Sequence, residues 1–441
     1  MSSPETATIA AIATGPAAGG IGILRVSGPR ARDVLRRVCP SLPVEPTPRF
    51  AHLARFIDRL GSVIDEGVAL FFAGPNSYTG DDVVELHAHG TPKGLQLLLE
   101  AALEVPGVRP AEPGEFTRRA YISGRIDLAR AEAVADLIAA ESTLAVRAAA
   151  SQLAGGLSAR VEAVRQPLVA LHADLEATLD FPDEAEEVEA TLPSRLHEAL
   201  SSVRPLAAAG DSGAVVRRGA RVVLYGPVNA GKSTLFNRLV GDARALVDPE
   251  PGTTRDTLEA RIEWAGLAVT LVDTAGLRAS PGRVEALGIE RARGAVASAD
   301  VAVLVVPPDA SPADVAAWQA EADSGHRVDV WGKADARSTV PPGLAVSGET
   351  GAGVEALRSA VLERLLPAEA GAVAAMSARH VACLRGAQQA LERAVAATTH
   401  STLEVVAGEV GVALTALGDI TGHDVSTELL DAIFQRFCIG K

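Results

Sequence analysis

The chain has 441 residues, 48% hydrophobic and 22% charged, with a formal net charge of −14. That length suits roughly two to four soluble domains. The acidic balance excludes broad non-specific nucleic-acid binding, though not a local basic patch such as one including Arg118 and Arg119.

No signal peptide is expected, because no basic region precedes the first apolar residues. The longest strongly apolar run, Val301–Val306, is too short to span a membrane. Cys39, Cys383 and Cys438 are far apart and form neither metal-type nor disulfide spacing, so a cytoplasmic location is expected.

Residues 1–120 mix short strands, expected at 8–13, 21–26, 68–72 and 83–87, with helices at 30–38 and 92–103. Strands and helices are interspersed without a βαβ rhythm, which is an α+β pattern. Arg25, Glu85 and His87 interrupt apolar strands, and the solvent face of a half-buried strand is their simplest reading. From residue 126 the spacing turns helical, over 127–138, then 144–179, then 193–209. The second stretch stops before Pro182, since proline disfavours helical geometry in the residue before it. The acidic run Asp183-Glu-Ala-Glu-Glu-Val-Glu189 reads as a solvated helix start.

Residues 217–366 alternate strand and helix, as in a doubly wound sheet with ligand loops at the carboxyl ends of its strands. Strands are expected at 222–225, 259–264, 269–272, 301–306, 328–331 and 344–346, and helices at 233–240, 289–297, 313–323 and 354–365. Helices return at 378–398, 403–416 and 426–437. The economical organisation has four parts. An N-terminal α+β domain covers 1–120, a helical domain covers 121–215 and 371–441, and an α/β phosphate-loop domain at 216–370 is inserted within the helical one.

The chemistry centres on Gly226-Pro-Val-Asn-Ala-Gly231-Lys232-Ser233, placed between an apolar strand and a helical run. Glycines let the backbone wrap a phosphate, and the helix N-terminus adds positive potential. Lys232 can reach the β- and γ-phosphates, and Ser233 can ligate magnesium. Gly252-Thr-Thr254-Arg-Asp256 can act as a switch through a threonine on magnesium. In Asp273-Thr-Ala-Gly276 the aspartate suits water-mediated magnesium binding, and the Gly276 amide suits the γ-phosphate. Asp335, in Trp331-Gly-Lys-Ala-Asp335, can accept two hydrogen bonds from guanine, a pair adenine cannot supply. Ser347-Gly-Glu349 offers a backbone amide to the guanine carbonyl. Leu277 stands where Ras-like enzymes carry a water-orienting glutamine, so that group must come from elsewhere. Asn229 could hold a monovalent cation beside the phosphates, and Glu285 could orient water. The alternatives are a loop-stabilising asparagine and a solvated helical glutamate.

The chain resembles the MnmE family, also called TrmE, of tRNA-modification GTPases. The resemblance is carried by Gly22-Ile-Leu-Arg-Val-Ser-Gly28, Ser77-Tyr-Thr-Gly-Asp-Asp-Val-Val-Glu-Leu-His87, Pro113-Gly-Glu-Phe-Thr-Arg-Arg119, Asp127-Leu-Ala-Arg-Ala-Glu-Ala133, Asp180-Phe-Pro-Asp-Glu184, the phosphate loop with its asparagine, Gly288-Ile-Glu-Arg291 and the terminal Cys438-Ile-Gly-Lys441. It implies a homodimer formed through a folate-binding N-terminal domain. It implies a flavoprotein partner, MnmG, carrying FAD and NADH, and modification of carbon 5 of the wobble uridine in tRNA with a one-carbon unit from a tetrahydrofolate derivative. It also implies GTP hydrolysis activated by potassium.

Carried over, GTP would be bound by Asn229, Ala230, Gly231, Lys232, Ser233, Thr234, Asp248, Pro249, Glu250, Pro251, Gly252, Thr253, Thr254, Asp273, Thr274, Ala275, Gly276, Lys333, Asp335, Ser347 and Gly348. Magnesium would sit on Ser233 and Thr254, and potassium on Asn229, Asp248, Glu250 and Thr253. Glu285 would orient the water, Arg25, Glu85 and Arg125 would contact the folate, and Cys438 would be linked to modification.

The usual Asn-Lys-x-Asp is Gly332-Lys-Ala-Asp335 here, and the usual Ser-Ala-Lys is Ser347-Gly-Glu349. A glycine lacks the asparagine's side-chain bonds, so weaker nucleotide binding is expected, with guanine selectivity kept by Asp335. The competing function is a regulatory GTPase switch or RNA-assembly factor without modification chemistry, which would have no use for folate.

Overall fold

The computed structural model describes residues 7–181, 185–245, 259–274, 285–336, 343–366, 376–423 and 425–441. The chain divides into two compact units, Met1–Ala135 with Gly418–Lys441, and Asp136–Leu417.

The first unit is built on a six-stranded sheet of order β3-β4-β5-β2-β1-β6. Its strands are β1 (Thr8–Ile12), β2 (Gly19–Ser27), β3 (His52–Ile57), β4 (Val63–Phe72), β5 (Val83–Gly90) and β6 (Val108–Pro110). All neighbours are antiparallel except the β1–β6 pair. Successive side chains on a strand point to opposite faces. Leu24, Val26, Phe56, Phe71 and Leu86 therefore share one face, where they pack with Val34 and Leu35 of α1 (Ala31–Val38) and Leu95 and Leu98 of α2 (Pro92–Leu103). Arg25 and Glu85 alternate with those core residues and meet as cross-strand neighbours on the other face.

A further helix, α3 (Glu115–Ile122), was not legible from spacing. Its first residue is a buried carboxylate gripped by Arg109 at 2.7 Å and Arg119 at 2.9 Å. Burial alone would raise the Glu115 pKa, but the hydrogen bonds from Arg109, the Glu112 amide and Arg119 outweigh it and hold the carboxyl below its ordinary value. Glu115→Ala removes a buried carboxylate shared by two arginines, leaving Arg119 with Asp81, and is expected to cost about 1–3 kcal/mol, read as a lowered denaturation midpoint. Because the folded pKa is depressed, this stabilisation is complete above the ordinary carboxylate value and is lost as pH falls through the depressed one. The wild type should therefore lose stability in acid more steeply than the variant.

The same network disposes of the basic patch considered from sequence. Arg119 pairs with Glu115 and Asp81 (3.5 Å), and Arg118 pairs with Asp431 at 3.1 Å. Asp431 belongs to α14 (Thr427–Phe434), whose Ile433 and Phe434 pack with Phe437, Leu128 and Ala131. The segment Gly418–Lys441, grouped by sequence with the second helical part, thus packs in this unit.

In the second unit, α4 (Leu128–Ala139), which begins in the first, leads to α5 (Thr143–Leu153), α6 (Gly156–Asp180) and α7 (Ala185–Arg218). The single helix expected over 144–179 is two, because Gly155 adopts φ +96° between α5 and α6. Helix α7 starts earlier and ends later than expected and runs through Pro193 and Pro205. An interior proline costs roughly 3 kcal/mol. The buried stripe Leu192, Leu196, Leu200 and Val203 offsets that cost. Helix α12 (Ala378–Ala397) lies close against α7, where a β-carbon on Gly210 would fall 2.8 Å from Val381. Helix α13 (Leu403–Thr421) follows. Among the described residues no helix is long and apolar enough to cross a membrane.

Helix α7 feeds through Gly219 into a seven-stranded sheet of order β13-β12-β11-β7-β10-β9-β8. Its strands are β7 (Ala220–Tyr225), β8 (Arg244–Ala245), β9 (Glu259–Trp264), β10 (Leu267–Asp273), β11 (Val301–Val306), β12 (Arg327–Trp331) and β13 (Leu344–Ala345). Strand β7 is parallel to β10 and β11, and the antiparallel pairs lie at the β8–β9–β10 edge. Parallel strands covered on both faces read as continuous apolar runs, and β11 is buried along its whole length. Helices α8 (Lys232–Gly241), α9 (Glu285–Ala297), α10 (Pro312–Gln319) and α11 (Val354–Leu365) complete this part. Helix α5 docks on the β9–β10 hairpin, where the Leu144 amide donates to the Gly266 carbonyl at 2.8 Å and the Thr143 hydroxyl to Glu263 at 2.9 Å.

Candidate nucleotide site and a second polar cluster

The loop from Gly226 to Gly231 joins β7 to α8 at the carboxyl end of the central strand. Gly226 has φ +134°, and a β-carbon there would sit 2.6 Å from the Val305 carbonyl oxygen, so only glycine fits. Asn229, at φ +60°, and Gly231, at φ +95°, turn the loop. Among the described residues no side chain caps α8, whose N-cap is Gly231, so its first amides face the loop. Lys232 is 5% exposed, and its Nζ donates to the Gly226 (3.1 Å) and Pro227 (2.7 Å) carbonyls. This holds the cation at the mouth of the loop.

The Ser233 hydroxyl donates to Asp273 Oδ2 at 2.6 Å, and Asp273 is fully buried at the end of β10. The Thr274 hydroxyl donates to the Leu224 carbonyl at 3.0 Å, tying the end of β10 to β7. A hydroxyl beside a carboxylate is a hard-oxygen set that fits magnesium. Among the described residues no group of three or more His, Cys, Asp or Glu side chains could hold a metal ion. Among the described residues, Ser233 and Asp273 are the oxygen donors placed to hold such an ion.

Two cavities adjoin. One, of about 490 Å³, is lined by Asn229, Gly231, Lys232, Ser233, Thr234 and Lys333, with Val228 at its edge. The other, of about 260 Å³, is lined by Gly332, Asp335, Gly348 and Glu349, with Leu235, Val305 and Val346 behind. They share Gly231, Thr234 and Lys333. The first suits phosphates and the second a base. The Ser347 hydroxyl donates to Asp335 and holds that carboxyl below its ordinary pKa, so it faces the second cavity as an anion. Ser347 is fully buried, and its amide is engaged by the Ala352 carbonyl at 2.9 Å.

Asp248, Pro249, Glu250, Pro251, Gly252, Thr253, Thr254, Ala275 and Gly276 lie outside the described residues. Glu285 opens α9, and its side chain lies outside them too. The partnership of Ser347 with Asp335 and the placing of Val305 and Leu235 behind the base cavity were missed by sequence reasoning. Nothing local in the sequence signals either.

The second cluster lies in the first unit. Arg25 pairs with Glu85 at 2.8 Å, and His87 Nε2 lies 3.1 Å from the other Glu85 oxygen. Their side chains are 19%, 15% and 25% exposed, which corrects the solvent-face reading. The Arg25 guanidinium stands 5.7 Å from the Phe116 ring and 5.9 Å from the Tyr78 ring. It also donates to the Gly440 carbonyl at 3.3 Å. A β-carbon on Gly440 would fall 2.4 Å from the Ile12 carbonyl oxygen, so the tail lies tight on the end of β1. Cys438 is exposed, and its carbonyl accepts from the Gly114 amide at 3.3 Å. The structure thus brings the C-terminal tail to Arg25 and Glu85, while Arg125 is exposed in the turn after α3.

A central parallel strand, a phosphate loop with its lysine and serine, the aspartate at the end of the neighbouring strand and an anionic base-side aspartate define a P-loop GTPase domain. The family models "MnmE helical domain" and "GTP-binding protein TrmE N-terminus" match residues 128–438 and 8–125. A tRNA modification GTPase MnmE of Myxococcus xanthus is 59% identical over 98% of this chain and 99% of its own length. Proteins of the same description from Chloroflexus aurantiacus and Neisseria meningitidis are 42% and 40% identical, over 98% and 100% of this chain and 99% and 100% of their own lengths. The chain belongs to the MnmE family of tRNA modification GTPases.

Proposed function

We propose that this GTPase is activated by potassium and works with an MnmG-like flavoprotein, which carries FAD and NADH. Together they modify carbon 5 of the wobble uridine of tRNA with a one-carbon unit from a tetrahydrofolate derivative. The observation that carries this reading over a plain switch is the half-buried Arg25–Glu85–His87 cluster, flanked by two aromatic rings and reached by the tail of Cys438. An arginine–carboxylate pair beside aromatic surface suits a flat, hydrogen-bonding heterocycle. A switch has no use for it. Arg25, Glu85 and Arg125 are the proposed folate contacts, with Cys438 linked to modification.

The phosphate loop amides and Lys232 bind and orient the nucleotide. Asp335, set by Ser347, reads the guanine edge, and the Gly348 amide faces its carbonyl. Magnesium, on Ser233 and Thr254, would offset phosphate charge. A potassium ion on Asn229, Asp248, Glu250 and Thr253 would supply positive charge where an arginine finger acts in other GTPases. Ala230, Thr234, Pro249, Pro251, Gly252, Thr274, Ala275, Gly276 and Lys333 complete the proposed GTP contacts. The proposed organisation is an N-terminal dimerisation domain at 1–120, a helical domain at 121–215 and 371–441 whose last segment, Gly418–Lys441, belongs to the compact unit of the N-terminal residues, and an inserted GTPase domain at 216–370. A cytoplasmic location is part of the same proposal.

The test is GTP hydrolysis in potassium chloride and in sodium chloride at equal ionic strength. Potassium is expected to raise kcat about tenfold or more, a barrier difference of roughly 1.4 kcal/mol. Equal rates would remove the cation from the mechanism. Arg25→Ala is expected to abolish binding of a tetrahydrofolate derivative while leaving hydrolysis intact, and unchanged folate binding would move the reading to a switch.

A further inference from the structure

The glycine at position 332 looks from sequence like a simple loss, an asparagine deleted from a base-binding motif. The packing around it says otherwise. A β-carbon built on Gly332 would lie 2.5 Å from the Ala230 carbonyl oxygen and 2.9 Å from Val305 Cγ1. Gly332 has no left-handed φ, so contact and not backbone strain excludes a side chain there. The space a β-carbon would take is occupied by the backbone of the phosphate loop. Gly332 is not free to retreat, since its amide is held by the Val306 carbonyl at 2.8 Å, at the end of buried β11. Ala230, on the other side, is fully buried.

The second base loop shows the same feature independently. A β-carbon on Gly348 would fall 2.8 Å from the Leu235 amide nitrogen and 2.8 Å from the Thr234 carbonyl carbon. It too lacks a left-handed φ. Its neighbour Ser347 is buried and anchored to Ala352. The base loops therefore touch the phosphate loop and the start of α8 backbone to backbone at two places. Both glycines line the base-side cavity, which shares Gly231, Thr234 and Lys333 with the phosphate-side one.

We propose that Gly332 and Gly348 are positioning residues, which set the separation of the base and phosphate subsites by direct backbone packing in place of a bridging asparagine side chain. This rests on the reading of the two cavities as one GTP site. Its consequence runs against the expectation from sequence. Restoring the usual asparagine should weaken nucleotide binding, because its β-carbon pushes the phosphate loop away from the base loop before its amide can form any bond. Overpacking against backbone that cannot rotate aside is destabilising. Here the displaced group is the nucleotide cradle itself.

The experiment compares Gly332→Asn, Gly332→Ala and Gly348→Ala with the wild-type full chain. It measures GDP affinity, KM and kcat for GTP, and the thermal midpoint of the nucleotide-free protein. All three variants are expected to raise Kd and KM about tenfold or more, with kcat at saturating GTP within about twofold. A purely structural role would lower the midpoint without this split. Gly332→Asn binding GDP as tightly as wild type, or more tightly, overturns the proposal, as does a fall in kcat with KM unchanged. Gly348→Ala removes no group and adds one methyl, so it carries the test if either position-332 variant fails to fold. Asp335→Asn, assayed alongside, separates the two readings. If it leaves guanine selectivity unchanged, the GTP-site assignment fails. If it changes selectivity while the glycine variants bind normally, only the positioning proposal fails.

Discussion

Asp335→Asn is expected to lower kcat/KM for GTP relative to xanthosine triphosphate by about 100-fold or more, because the hydrogen-bonding groups of guanine and of the site no longer match. Guanine presents two donors on one edge, its ring N–H and its exocyclic amine. A carboxylate accepts both, and the Ser347 hydroxyl holds the Asp335 carboxyl below its ordinary pKa. An amide offers one acceptor and one donor, so its NH₂ faces the guanine amine donor to donor. Xanthine carries a carbonyl there, which the amide can satisfy. Asp335 is exposed, so the fold should tolerate the change. The check is kcat/KM for both nucleotides with both proteins, and an unchanged ratio would remove Asp335 from base recognition.

Glu285→Ala is expected to reduce kcat at least about 100-fold, with GTP affinity within about threefold. Leu277 cannot orient water where a glutamine does so in Ras-like enzymes. A carboxylate must then be supplied nearby, and Glu285 stands at the first turn of α9, in the segment that follows Asp273 and the end of β10. Single-turnover hydrolysis and nucleotide binding, measured separately, check this. Turnover at the wild-type rate would assign the water to another group. Loss of binding together with turnover would make Glu285 structural.

How far the sequence carried depended on how local each feature is. Strand β11 and helix α11 were read to the residue, because a buried apolar run and an apolar stripe along one helix face each declare themselves within one window. Strand β3 was missed, although Ala54 and Phe56 alternate inward, because Arg55 and an exposed Leu53 blur the pattern. Helix α3 was missed because Arg118 and Arg119 read as surface charge. Asp431, which pairs with Arg118, and Asp81, the second partner of Arg119, lie far away in the chain, and no window contains both ends of those two ion pairs. The break at Gly155 was overlooked because glycine is tolerated inside helices, and only the realised φ turns it into a stop.

The sequence by itself determined the phosphate loop, the order of strands and helices that presents it, and the family. These depend on residue types at fixed short spacings, which backbone geometry converts directly into structure. Tertiary structure alone decided three things. Arg25, Glu85 and His87 form a shielded cluster reached by the C-terminal tail, because β2 and β5 pair in that register and Gly440 fits against β1. Arg118 and Arg119 are spent on folding, because long-range packing brings Asp431 to the first and Asp81 to the second. Gly332 is a point of contact rather than a gap, because whether a missing side chain leaves space depends on what the rest of the chain moves into it.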